Sequence, residues 1–391
     1  MTKQNFPTGQ SIRIVDLRAV PISFPVPADK SVRLGIGRSV KRDSVLVRVE
    51  TSDGLIGWGE AHHGRCPGAI AKLIDTTLRE LVLGMDAFDV VGVWARVYKM
   101  QLASHGMGAA AALALSGLDI ALWDLRCQAT GWPLYRLLGG TAKPIKAYAG
   151  GIALGWQEPS LLAEEALRHV ATGYRALKLR MGDSPGRDIA RLRAVRLAVG
   201  NEIDILTDAN TAYTLDDVRR VMPAFEECNV AWLEEPFPPQ DRHAYAAASL
   251  LGRVPLAAGE NHYTRYEFDT LLEDGHVRFV QPDLSKTGGV TEAMRIAAMA
   301  SARKLTVNPH TSATAINMAT SIHFLCAVDN PGYFEGDVTS LNPFRDNIAE
   351  QLPYSLDANG CVNPLSGVGI GLTLDLDFIA AHPLIEGPCY V

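Results

Sequence analysis

Three carboxylates recur in this chain at one spacing: the steps from Asp208 to Glu234 and from Glu234 to Glu260 are 26 residues each. Each step is the length of one strand-plus-helix unit, so parallel stacking of such units would place the three side chains next to one another. Three carboxylates that close cannot all stay ionised without a cation. Oxygen donors with no His or Cys among them suit a hard ion, and Mg²⁺ better than Zn²⁺. Ion pairs with Lys178, Arg180 and Lys286 are the structural alternative, although such pairs have no need to fall at strand ends. Further titratable groups keep the rhythm: Lys178 and Arg180 precede the three carboxylates, and Asp283, His310 and Glu335 follow them.

The elements that must carry these residues show in the hydrophobic pattern. From residue 145 onward, short apolar segments alternate with helical ones. The segments are 145–149, 174–179, 203–207, 230–233, 255–258, 277–281, 305–308 and 332–334. Eight strand signals in one series predict an α/β fold, a (β/α)₈ barrel of modified TIM type. The second strand ends in Lys178-Leu179-Arg180, the third in Asp208 and the fourth in Glu234-Glu235. Glu260, Asp283, His310 and Glu335 close the fifth to the eighth. In a barrel these ends converge on one mouth, where active sites lie.

Ahead of the barrel, residues 1–140 read as an α+β capping domain. Strand-like runs at 12–15, 44–49 and 55–60 are followed by Ala- and Leu-rich helical spacing over 68–139. Barrel rhythm is expected over 141–359, and 360–391 is expected to fold back onto the cap. Two cap segments, 24–41 and 60–65, are expected to close over the barrel mouth and touch the distal end of a substrate. They carry Arg33, Arg38, His62, His63 and Arg65.

Bulk properties exclude several classes. The 391 residues are 47% hydrophobic with a formal charge of −6 and no block of like charge, which argues against disorder and nucleic-acid binding. The polar N-terminus lacks a signal-peptide core. The longest apolar stretch, 109–125, is broken by Asp119 and Asp124 and is too short for a membrane span. Six cysteines without a C-x-x-C pair indicate neither a disulfide framework nor a zinc site, so reduced thiols and a cytoplasmic location are expected.

Taken in order, Lys178-x-Arg180, Asp208-Ala209-Asn210, Glu234-Glu235-Pro236, Gly259-Glu260-Asn261, Asp283 before Gly288-Gly289, His310 and Glu335 resemble the mandelate racemase branch of the enolase superfamily. The stretch from Leu115 to Asp124 and on through Leu137-Leu138-Gly139-Gly140 is similar to the same family, and the likeness runs from about residue 11 onward. The resemblance implies that Asp208, Glu234 and Glu260 hold one Mg²⁺ per subunit, which stabilises the enediolate of a carboxylate substrate. It implies that His310 is the base with Asp283 fixing its tautomer. Lys178 would neutralise the substrate carboxylate, and Glu335 would bond to it as a protonated acid. Asn210, His262, His62 and Arg38 are expected to line the substrate, and the chain is expected to assemble as a homo-oligomer, dimer to octamer.

One position departs from the pattern. Mandelate racemase carries Lys-x-Lys on strand two, and the second Lys serves the face opposite the His. Arg180 stands there in this chain. Arg titrates above about 12, so it is a poor base. One unforced base favours β-elimination of water from a sugar acid, giving a 2-keto-3-deoxy acid. A racemase, epimerase or lactone cycloisomerase is the alternative. Asp283 disfavours the muconate-lactonising branch, which has Lys at that position. A metal-dependent hydrolase would need His-x-His at strand one, where this chain has Lys146-Ala147-Tyr148.

Overall fold

The computed structural model describes residues 11–311 and 313–391. The cap opens with three antiparallel strands, β1 (Ile14–Pro25), β2 (Lys41–Thr51) and β3 (Ile56–Ala61), in the order β1-β2-β3. β2 is central and buries Val45, Leu46, Val47 and Val49, β-branched and aliphatic residues that fit a covered pleated surface. Helix α1 (Ala109–Thr130) lies across this sheet and is apolar almost all round. Its other side meets the barrel helix α2 (Gly289–Ser301), so both faces are covered and the usual polar stripe is missing. Contact is close at Gly117, where a Cβ would fall 2.4 Å from Val47 Cγ2.

Eight parallel strands follow: β4 (Ile145–Gly150), β5 (Ala176–Arg180), β6 (Asp204–Asp208), β7 (Val230–Glu234), β8 (Leu256–Ala258), β9 (Val277–Val280), β10 (Thr306–Val307) and β11 (Phe334–Asp337). Each pairs with its chain neighbours from β4 to β10, and β11 closes back onto β4. The seam between β10 and β11 is a single bridge, Val307 to Pro331. Tyr148, Leu206, Trp232 and small alanines fill the interior, as a packed barrel requires. The expected strand positions stand within about two residues of these, with one consequence. The eighth strand begins at Phe334, so Glu335 sits inside it and not beyond its end.

At the C-terminus, Cys361–Val362 pairs antiparallel with the start of β4. The last ten residues run beside the cap, with bridges from Ile22 to Pro383 and from Ser39 to Tyr390. The glycine pair ahead of α2 has a local reason: Gly289 has φ +82°, and a Cβ there would lie 2.4 Å from Asp119 Oδ2 of α1. Asp119 in turn accepts from Thr291 N at 2.9 Å, so cap and barrel are joined at this point. No helix among the described residues is long and apolar enough to cross a membrane.

Candidate active site

Register carries the first layer of the site. Arg180, Asp208 and Glu234 are Cα partners on three adjacent strands, so their side chains point to one face at one height. Glu260 follows β8 by two residues. The left-handed backbone at Asn210 (φ 44°) and Glu235 (φ 34°) turns the chain sharply just beyond the strands. Asn210 N donates to Asp208 Oδ1 at 2.8 Å and holds that carboxylate in place.

Lys178 lies beneath this layer, fully buried. Its ammonium is 2.8 Å from Glu234 Oε1, 2.9 Å from Glu335 Oε1 and 3.5 Å from Asp208 Oδ2. Burial opposes its charge, but Glu234 and Glu335 overcome that and hold its pKa well above the ordinary lysine value. Glu335 also accepts from Gly151 N at 3.1 Å and Thr311 N at 3.2 Å. Although burial alone would raise it, Lys178 brings its pKa down to about 2. In this structure the Glu335 carboxylate, expected from the resemblance to meet a substrate, is paired instead with the Lys178 ammonium. Neither Lys178 nor Glu335 lines the cavity above.

Arg180 is the strand-two cation that does reach the cavity. It bonds Asp208 Oδ2 and the Gly151 carbonyl, and burial is outweighed by Asp208, Glu335 and Glu234, which raise its pKa further. Opposite, His310 Nδ1 lies 2.7 Å from Asp283 Oδ2, and Nε2 lies 3.0 Å from Glu260 Oε2. Burial works against the imidazolium, but Glu260 and Asp283 lift its pKa to about 10. Asp283 Oδ1 accepts from Ser285 N at 2.8 Å, Ser285 Oγ at 2.7 Å and Asn317 Nδ2 at 3.0 Å.

Charge balance decides what else fits here. Burial and the nearby carboxylates push Glu234 up to about 7 and Glu235 up to about 8. Glu235 Oε1 is buried without a hydrogen-bond partner. The Asp208, Glu234 and Glu260 oxygens do not all lie within 4.8 Å of one another. Lys178 and Arg180 draw on the first two, while His310 and Lys286 draw on the third. Hard carboxylate oxygens at three adjacent strand ends, one of them pushed up by burial and its acidic neighbours, are chemically suited to a hard divalent cation.

The cavity above measures about 190 Å³. Its floor includes Arg180, Asn210, Glu235, Glu260, Lys286 and His310, and its roof includes Leu34, Ile36, His62 and His63 from the two cap segments. Two expected substrate contacts lie elsewhere. Arg38 borders a separate surface depression with Arg33, Trp156 and Val391, because its backbone is bridged to Val391. His262 faces a second cavity behind Asn261. Burial pushes its pKa down to about 4, and its ring packs on Phe268.

Three contributors have no local sequence signal. Tyr390 from the chain end lines the cavity. Asn317 bonds Asp283. Glu60, at the end of β3, accepts from Ser44 Oγ at 3.0 Å, Asn317 N at 3.0 Å and Thr314 Oγ1. The cap thus reaches His310 through Glu60, Asn317 and Asp283. Thr314 and Asn317 are 254 and 257 residues from Glu60 in the chain, so only the fold brings them together.

Comparison with known proteins places this geometry. The family model described as "Enolase C-terminal domain-like" matches residues 161–378, and that of the "Mandelate racemase / muconate lactonizing enzyme, N-terminal domain" matches 19–139. Arabinonate dehydratase of Saccharolobus solfataricus is 33% identical, covering 92% of this chain and 96% of its own. D-galactarolactone cycloisomerase of Agrobacterium fabrum is 31% identical, covering 86% and 90%. Among solved structures, an enolase superfamily member from Polaromonas sp. is 51% identical with a TM-score of 0.94, covering 98% of this chain and 100% of its own. A Streptomyces coelicolor racemase with bound magnesium is 29% identical with a TM-score of 0.86, covering 95% and 100%. With its strand-end carboxylates, its Asp–His pair and matches over both domains, the chain belongs to the mandelate racemase/muconate lactonizing enzyme family of the enolase superfamily.

Proposed function

We propose that this protein removes the α-proton of a sugar acid with His310 as its one base and then eliminates the β-hydroxyl as water. The observation that carries the reading is the asymmetry across the cavity. His310 stands on one side, poised by Asp283, whereas Arg180 on the other is locked to Asp208 and the Gly151 carbonyl and kept charged. An arginine so held binds and orients a carboxylate but does not exchange protons.

Asp208, Glu234 and Glu260 would hold Mg²⁺, one per chain, which when bound offsets the charge that develops on the substrate carboxylate. The magnesium in the Streptomyces coelicolor relative supports that choice. With Glu260 holding a cation, its pull on the His310 imidazole, 3.0 Å away, would weaken and Nε2 would be free to accept a proton. His310 Nε2 takes the α-proton while Asp283 accepts from Nδ1–H. The imidazolium then gives that proton to the departing β-hydroxyl, which leaves as water, and the enol product becomes a 2-keto-3-deoxy acid. Arg180 and Lys286 supply fixed positive charge at the cavity floor, and the cap segments exclude water.

Lactone cycloisomerisation is the second reading, supported by the Agrobacterium relative. It needs the same single base, with a ring oxygen in place of the hydroxyl. Racemisation is disfavoured because it needs a second proton donor at Arg180. A cytoplasmic homo-oligomer completes the reading; the six free cysteines support a reducing compartment. Incubation with Mg²⁺ and a panel of aldonic acids, aldaric acids and their lactones tests it. We expect a 2-keto acid that disappears with His310→Asn; keto acid formation at an undiminished rate in that variant refutes the assignment.

A further inference from the structure

A second cluster of metal-ligand residues lies at the cap side of the same cavity. Asp43 on β2, His63 in the cap turn and Cys389 near the chain end each present one donor atom, and these atoms all lie within 4.8 Å of one another. It is the one group of three or more His, Cys, Asp or Glu among the described residues that gathers this tightly. All three line the cavity wall. We propose that Asp43, His63 and Cys389 form a second cation site, distinct from the strand-end carboxylates, that takes a borderline-soft ion of the Zn²⁺ class.

The donor set argues for that class. One thiolate, one imidazole and one carboxylate are ligands that Zn²⁺ and Co²⁺ accept and Mg²⁺ does not favour. His63 Nδ1 accepts from Arg65 N at 2.9 Å, which leaves Nε2 for an ion. Burial keeps this imidazole neutral, as a ligand must be, with a pKa near 3. Asp43 is 1% exposed, and its Oδ2 accepts no hydrogen bond of good geometry. The Lys41 ammonium stands 2.9 Å from Oδ2, but Lys41 also holds Oδ1 at 3.0 Å and the Ile385 carbonyl, so it stays anchored when Oδ2 turns to an ion. Bound tetrahedral ligands sit roughly 3.5 Å apart, so the cluster, whose donors lie within 4.8 Å of one another, need contract by little more than an ångström at most. Its three members come from a strand, a turn and the chain end, of which the last two are the easiest to move. The Cys389 thiol loses its proton to solvent on binding. Three protein ligands leave the fourth position open to the cavity. An ion there would staple the cap turn and the C-terminal segment together over the substrate space.

Cobalt reads this site selectively, because only a thiolate ligand produces an intense near-ultraviolet charge-transfer band. Co²⁺ is titrated into Mg²⁺-saturated full-length protein, wild type and variants. We expect one equivalent of Co²⁺ to give the band, Cys389→Ser to abolish it, and His63→Gln to weaken the apparent affinity at least about tenfold. Cys66→Ser, which alters the exposed neighbouring thiol, leaves it unchanged. No band, a band that survives Cys389→Ser, or unaltered affinity in His63→Gln overturns the proposal. The His63 variant decides the matter if the buried Cys389 proves necessary for folding. None of these readouts depends on catalytic activity, so they stand apart from the dehydration reading.

Discussion

Replacing Asp283 by Asn changes one atom and should stop catalysis through the tautomer of His310. The amide that replaces the carboxylate cannot turn freely. Oδ1 is surrounded by donors, namely Ser285 N, Ser285 Oγ and Asn317 Nδ2, at 2.7 to 3.0 Å. The amide oxygen must occupy that side, because an NH₂ group there would face three donors and cost about 1–3 kcal/mol for each hydrogen bond lost. The NH₂ is thereby directed at His310 Nδ1, now 2.7 Å from Oδ2. Nδ1 becomes an acceptor, and the ring proton moves to Nε2, the atom that must take the substrate proton. A base in the wrong tautomer typically costs about 10³–10⁴ in kcat, on the order of 4–5 kcal/mol of transition-state stabilisation. The assay is the initial rate of keto acid formation at saturating Mg²⁺, with circular dichroism and the unfolding midpoint as controls. Wild-type folding with a rate within tenfold of normal would refute the tautomer argument and, with it, the role of Asp283.

Glu60→Gln tests the cap's reach to the base: Glu60 meets donors on both oxygens, so its amide strands at least one of them, lowering stability by about 1–3 kcal/mol. Activity should fall with it, and loss of stability at full kcat would show that Asn317 holds Asp283 without help from the cap. Asp119 carries a pH signature. Burial pushes its pKa up to about 7. Its folded value lies above the unfolded one, so its contribution to stability is complete below pH 4 and is lost as pH rises through about 7, amounting to about 4 kcal/mol. Urea midpoints should therefore fall less over that window in Asp119→Asn than in wild type, and identical profiles would contradict the assignment. Arg38→Ala, outside the cavity, should leave kcat/KM within about 0.5 kcal/mol of wild type; a tenfold rise in KM would put Arg38 back against the substrate.

The parts of the site that could be read from sequence are those governed by the barrel repeat. A 26-residue step becomes lateral register between Asp208 and Glu234, because each unit returns the chain to the same height. Depth was not readable: Lys178 and Arg180, two apart on β5, point the same way, yet only Arg180 reaches the cavity. The difference comes from Glu234 and Glu335, which trap the shorter, more compact ammonium beneath the floor. Position relative to a wall was equally hidden. His262 is two residues from Glu260, but the turn after β8 sends it behind Asn261. Contacts made across the whole chain, such as Glu60 to Thr314 or Tyr390 in the cavity, have no periodic signature and depend on how the cap docks.

Single-base chemistry leaves a distinct isotopic record in D₂O. The Mg²⁺-loaded protein is incubated with the sugar acid that it converts, and both recovered substrate and product are followed by NMR. With His310 as the one base, we expect a 2-keto-3-deoxy acid and recovered substrate that keeps its α-configuration throughout. Substrate whose α-carbon inverts while it gains deuterium, with no keto acid formed, would mean that a second group exchanges protons from the Arg180 side, and would contradict single-base elimination.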